Sequence, residues 1–125
     1  DAALDVFLAA SMVDLRAKSL ALADFLIEQV EGCADLNELS LLSPRDGQRR
    51  GSQVSFTHPH AYAICQALIA RNIIPDFRAP DILRCGIAPL YLRFVDVEIL
   101  VEALKEIVSQ RIYLQDRFSV RSKVT

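Results

Sequence analysis

The residues best suited to chemistry in this chain are its arginines, and Arg84 stands out among them. From Ile82 to Ile87 the run Ile-Leu-Arg-Cys-Gly-Ile carries a single charge. If the run is extended, alternation puts Leu83, Cys85 and Ile87 on one face and Ile82, Arg84 and Gly86 on the other. A guanidinium then stands in an apolar strand beside a glycine that leaves room for an approaching group. Being permanently charged and planar, it can hold a carboxylate through two parallel hydrogen bonds. Two uses are open: the carboxylate of a bound ligand, or an internal Asp or Glu, since a charge taken out of water wants a partner.

Other polar clusters read more simply. In Asp76-Phe77-Arg78-Ala79-Pro80-Asp81 the charges can satisfy one another around a turn, with Arg78 paired to Asp76 or Asp81. Arg45, Arg49 and Arg50 flank a Gly-containing turn and are expected to be solvated. His58 and His60 bracket Pro59, where an imidazole can cap free N–H groups or lie against a sheet. Two residues apart is poor spacing for a helical metal pair, and no further ligands are near in sequence, so no metal site is expected. The three cysteines, Cys33, Cys65 and Cys85, form no CxxC pair and read as reduced, packed thiols. No Ser-His-Asp spacing or glycine-rich phosphate loop is present, so no catalytic residue is assigned.

These side chains need elements to position them. The first thirty or so residues have helical composition, with Leu15, Leu22, Phe25, Leu26 and Val30 on one face. Gly32 ends that helix, and a break near Ser11-Met12 is expected. Leu39–Ser43 and Gln53–Phe56 read as strands, with Pro44-Arg45-Asp46-Gly47 supplying turn chemistry for a hairpin. Pro59 suits a helix start, and Ala61, Ile64, Cys65, Leu68 and Ile69 form its apolar stripe until about Asn72. Ile73–Arg78 and Ile82–Ile87 are two more strands, the first placed at an edge by Pro75. Asp96 is read as the N-cap of a last helix carrying Val97, Leu100, Val101, Leu104, Ile107 and Val108. The order α-ββ-α-ββ-α predicts an α+β domain, a mostly antiparallel sheet with helices on one side. Residues 1–125 form one domain, a helical lead-in over 1–31 and a sheet-and-helix body over 38–125.

Composition narrows the class. A net charge of −2 with pI near 5.6 offers no basic footprint for nucleic acid. No run approaches the ~18 apolar residues of a membrane span, and a cytoplasmic location follows as the default. At 52% apolar residues and a mean hydropathy of +0.25, the chain is apolar for its size. Part of that surface is expected to lie against another body, with an apolar patch on the helix face over 14–30 and on the strand face bearing Arg84. The chain opens at Asp1 without an initiator Met, as the middle of something longer would.

Four blocks carry a family resemblance: RGSQVSF (Arg50–Phe56), HAYAICQALI (His60–Ile69), DFRAPD (Asp76–Asp81) and the R-x-G-x-x-PLY turn from Arg84 to Tyr91. With LRAKS at Leu15–Ser19 and the tail Val120–Thr125, they resemble the C-terminal small domain of kynureninases, pyridoxal-phosphate enzymes of fold type I. The family more often has Gly where Pro75 stands, and Phe where Cys85 stands.

The resemblance implies a parent enzyme that hydrolyses L-kynurenine to anthranilate and L-alanine, a homodimer with composite active sites. In it Arg84 matches the arginine that binds the substrate carboxylate. The cofactor lysine is implied to lie in a separate large domain, because none of Lys18, Lys105 and Lys123 sits where it is expected. This chain alone is therefore expected to bind no pyridoxal phosphate and to be inactive. Alternatives are the small domain of a cysteine desulfurase or class V aminotransferase, or a stand-alone α+β module in which Arg84 holds a free amino acid.

Overall fold

The computed structural model describes residues 2–51, 53–87 and 92–119, with side chains from residue 11 onward. Its architecture is α+β, with four helices and a four-stranded antiparallel sheet. Helix α1 spans Ala2–Glu31, and Gly32 follows it with its N–H donated to the Glu28 carbonyl at 2.9 Å. Strands β1 (Ser40–Leu41) and β2 (Gln53–Thr57) pair as the expected hairpin. Helix α2 (Ala61–Ile69) leads to β3 (Asp76–Arg78) and β4 (Ile82–Gly86), a second antiparallel pair. Helix α3 (Phe94–Ser109) and the short α4 (Asp116–Ser119) close the described chain.

The strand order is β1-β2-β4-β3, so β4 runs through the middle and β3 forms an edge. Pro75, which has no N–H to donate to a ladder, lies just outside that edge strand. Register fixes the two faces. Val54, Phe56, Leu83 and Cys85 point into the core, where Val54, Phe56 and Leu83 are fully buried. Against them pack Leu22, Leu26 and Val30 of α1, Ile64 and Leu68 of α2, and Leu104 and Ile107 of α3. Each such side chain stabilises the fold by roughly 1.5–3 kcal/mol through loss of apolar surface to water. The opposite face carries Gln53, Ser55, Thr57, Asp76, Arg78, Ile82, Arg84 and Gly86, none of them fully buried.

Four expectations need correction. Helix α1 continues without a break through Ser11 and Met12. Asp96 is the third residue of α3, not its N-cap: Arg93 holds that place, and its backbone N–H donates to Asp96 Oδ2 at 2.8 Å. That reciprocal bond serves a free N–H from inside the helix, so an acidic residue signals a helix start three residues early. Ile69, expected on the apolar stripe of α2, is exposed. The face bearing Arg84 is polar, and α1 exposes mainly Asp14, Arg16, Ala17, Ala21, Asp24, Glu28 and Gln29 over the span expected to be apolar. Among the described residues the exposed large apolar side chains lie elsewhere, including Met12 and Val13 and, near the start of α3, Phe94, Val95 and Ile99.

Candidate functional site

Arg84 sits at the centre of the polar sheet face, opposite Ser55 on β2 and Asp76 on β3. Directly opposed residues of an antiparallel pair share a face, which brings the three side chains together. Arg84 Nη2 donates to Asp76 Oδ2 at 2.5 Å, and Arg78 Nη2 lies 3.5 Å from the same oxygen. Two guanidiniums thus share one carboxylate, which leaves the trio with a net positive charge. The hydrogen bond from Arg84 is the main reason that Asp76 titrates below the usual carboxylate range, with the charges of Arg78 and Arg84 and the Phe77 N–H adding to it.

Arg84 is three-quarters buried, and its Nε is shielded from solvent with no hydrogen-bond partner among the described residues. Next on the same face, the position of a Cβ at Gly86 meets no side chain or backbone of the other described residues within 4 Å, which leaves space beside the guanidinium among them. The arrangement combines an unspent donor, an excess positive charge and space, and suits a small carboxylate. Of the two uses that the sequence left open, the internal partner is present as Asp76, which takes a single hydrogen bond from Arg84. Arg78 pairs with Asp76, one of the two partners expected of it.

The histidines serve the scaffold. His58 is buried, its Nδ1 accepts the backbone N–H of His60 at 2.9 Å, and its Nε2 lies 3.1 Å from Glu38 Oε2. Because Nδ1 is an acceptor, the ring proton resides on Nε2 and points at Glu38. The Tyr113 ring stands edge-on to His58 at 5.6 Å between centroids. Burial pushes the imidazole below its ordinary value, against the opposing pull of Glu38. No group of three or more His, Cys, Asp or Glu among the described residues could hold a metal ion.

Arg50 corrects the reading of a solvated arginine turn. It is buried, with Nη2 donating to Asp24 on α1 at 2.6 Å and Nη1 to the carbonyls of Pro44 and Arg45. Arg45 instead pairs with Glu31, and Arg49 is exposed. The buried thiols of Cys65 and Cys85 are pushed up to about 11 and about 12 by loss of solvent.

Pyridoxal phosphate does not fit the described residues. It needs a lysine for its aldehyde, an acidic partner for its ring nitrogen and donors for its phosphate. Lys105 lines a shallow recess with Glu28, Asp35 and Glu102, three carboxylates that would repel a phosphate. Lys18 lies on α1, away from the polar sheet face, and Lys123 lies outside the described residues. No helix among the described residues is long and apolar enough to cross a membrane.

The family model for the kynureninase C-terminal domain matches residues 15–104. Among curated proteins, the chain is 48% identical over 122 residues to a kynureninase of Pseudomonas fluorescens, covering 98% of this chain and 29% of that protein. The same identity and coverage hold for kynureninases of Burkholderia mallei (strain SAVP1) and Burkholderia pseudomallei (strain K96243). The chain therefore spans less than a third of the length of these relatives. Its matched segment contains the whole sheet, α2 and the first turns of α3, so the chain belongs to the kynureninase C-terminal domain family.

Proposed function

We propose that the chain works as the C-terminal small domain of a longer enzyme that hydrolyses L-kynurenine to anthranilate and L-alanine, with Arg84 holding the substrate's α-carboxylate. The observation that carries the role of Arg84 is a part-buried guanidinium with donors to spare after its one bond to Asp76, set beside Gly86 on a face with excess positive charge. A charge-assisted bond from its remaining Nη donors to a carboxylate would fix the amino-acid end of the substrate. Cofactor chemistry belongs to the remainder of the enzyme, since the residues here do not fit pyridoxal phosphate; a homodimer with composite sites is part of the same reading. The contribution of this domain is to bind and orient.

The test is expression of this domain together with the region that precedes it in its reading frame, followed by assay of anthranilate release from L-kynurenine. Release that depends on added pyridoxal phosphate is expected. A cofactor-loaded protein that cleaves other amino acids but leaves L-kynurenine intact would overturn the reading.

A further inference from the structure

Asp76 lies across the ladder from Arg84 and bonds it through a single oxygen, so most of the guanidinium's five donors remain uncommitted. The carboxylate also faces Arg78 on the same strand, 3.5 Å away, and is itself about half exposed. Asp76 is short, with few rotamers, and two cations drawn to it restrict it further, so it can steady the longer arm of Arg84. Without it Arg84 would sample other rotamers on an open face and lose ordering entropy on meeting a ligand.

Two effects of such a carboxylate oppose each other. As a resident anion it competes with an incoming carboxylate; as an anchor it pre-orients the guanidinium. Sharing with Arg78 weakens the competition, since one negative charge faces two positive ones. The single bond that Asp76 takes leaves other Nη donors of Arg84 over for a ligand. The anchor role therefore dominates.

Resting on the reading of Arg84 given above, we infer that Asp76 is a positioning residue for substrate binding: it holds Arg84 in the orientation that receives the substrate carboxylate.

The experiment is a double-mutant cycle in the cofactor-loaded full-length enzyme, reading KM and kcat for L-kynurenine, inhibition by L-alanine as a second carboxylate probe, and melting temperature. Asp76→Ala is expected to raise KM and the L-alanine inhibition constant about five- to tenfold with kcat within about twofold, the pattern of lost binding common to ground and transition states. Asp76→Asn, which keeps the shape and an acceptor oxygen, should recover part of that loss and guards against a variant that fails to fold. In an Arg84→Ala background the Asp76 substitutions should add less than about twofold. Unchanged or lowered KM in Asp76→Ala, or an equal loss with and without Arg84, would overturn the role of Asp76 while leaving that of Arg84 standing. Normal kinetics in Arg84→Ala alone would instead remove the reading beneath it.

Discussion

Arg50 and Asp24 lock the β1–β2 connection to helix α1: the Arg50 guanidinium is almost wholly buried, yet its carboxylate partner, 2.6 Å away, is mostly exposed. Arg16 closes the same junction by donating to the carbonyls of Gly47 and Arg50 at 2.9 and 2.7 Å. The buried cation makes three hydrogen bonds, one across to Asp24 on α1 and two back to the Pro44 and Arg45 carbonyls of its own connection. Its Nε has no hydrogen-bond partner among the described residues, so the lock is tight but not fully satisfied by them.

Removing one side of a buried, hydrogen-bonded charge leaves the other groups uncompensated. Arg50→Ala, which strands two carbonyls and opens a void, should destabilise the protein by about 2–4 kcal/mol. Asp24→Asn keeps an acceptor and should cost about 1 kcal/mol. Urea denaturation of both variants checks the order; an Arg50→Ala midpoint equal to wild type would contradict the lock.

Acid sensitivity should centre on His58. Its folded-state proton affinity is lowered by burial, so below the ordinary imidazole range the unfolded chain takes up a proton that the folded chain resists. Stability from this residue is complete above about pH 6.5 and is lost as pH falls below it. The Nδ1 that would be protonated accepts the His60 N–H, so protonation sets two donors against each other at the start of α2. Glu38 partly offsets the loss, and His60 and Tyr113 complete the surroundings. Melting temperature should therefore fall between about pH 7 and 5 in wild type, with a shallower slope in His58→Gln. Parallel slopes would assign the acid sensitivity to other groups.

The three thiols should separate by reactivity. Cys65 and Cys85 are buried, with proton affinities that keep them as thiols well above neutral pH, whereas Cys33 is half-buried. Because the thiolate is the nucleophile, iodoacetamide at pH 8 should label Cys33 first in the native protein and all three only after denaturation. Early label on Cys85, read by peptide mass, would contradict its burial.

Much of the fold is legible in the sequence because its signals are local. Strict alternation at Val54 and Phe56 marks an inner face, Pro75 marks an edge, and the spacing from Val97 to Val108 marks a helix. The same alternation put Arg84 on the correct face. What was not legible depends on contacts between distant residues. Arg50 reads as a turn arginine because its partner Asp24 lies 26 residues away on another element, and nothing local announces that pairing. Asp96 misleads because an acidic residue serves a helix start equally well from its third position. The single-turn segments Ala34–Leu36, Gly47–Arg49 and Ile112–Leu114, and the four-residue α4, are too short to carry a period. Asp76 was read as a partner for Arg78; its stronger bond to Arg84 follows from strand register, which no local pattern states.

The proposed binding of the substrate carboxylate by Arg84 is tested most directly by kcat/KM for L-kynurenine in the full-length enzyme. A charge-assisted bond is worth about 1.5–3 kcal/mol, so Arg84→Ala should lower kcat/KM by roughly ten- to a hundredfold. Arg84→Lys should recover little of this, because an ammonium cannot reproduce the planar fork. Cofactor content and melting temperature should stay close to wild type, since much of the lost interaction forms only with substrate. Unchanged kcat/KM with a large drop in melting temperature would contradict the account and make Arg84 a structural partner of Asp76 alone.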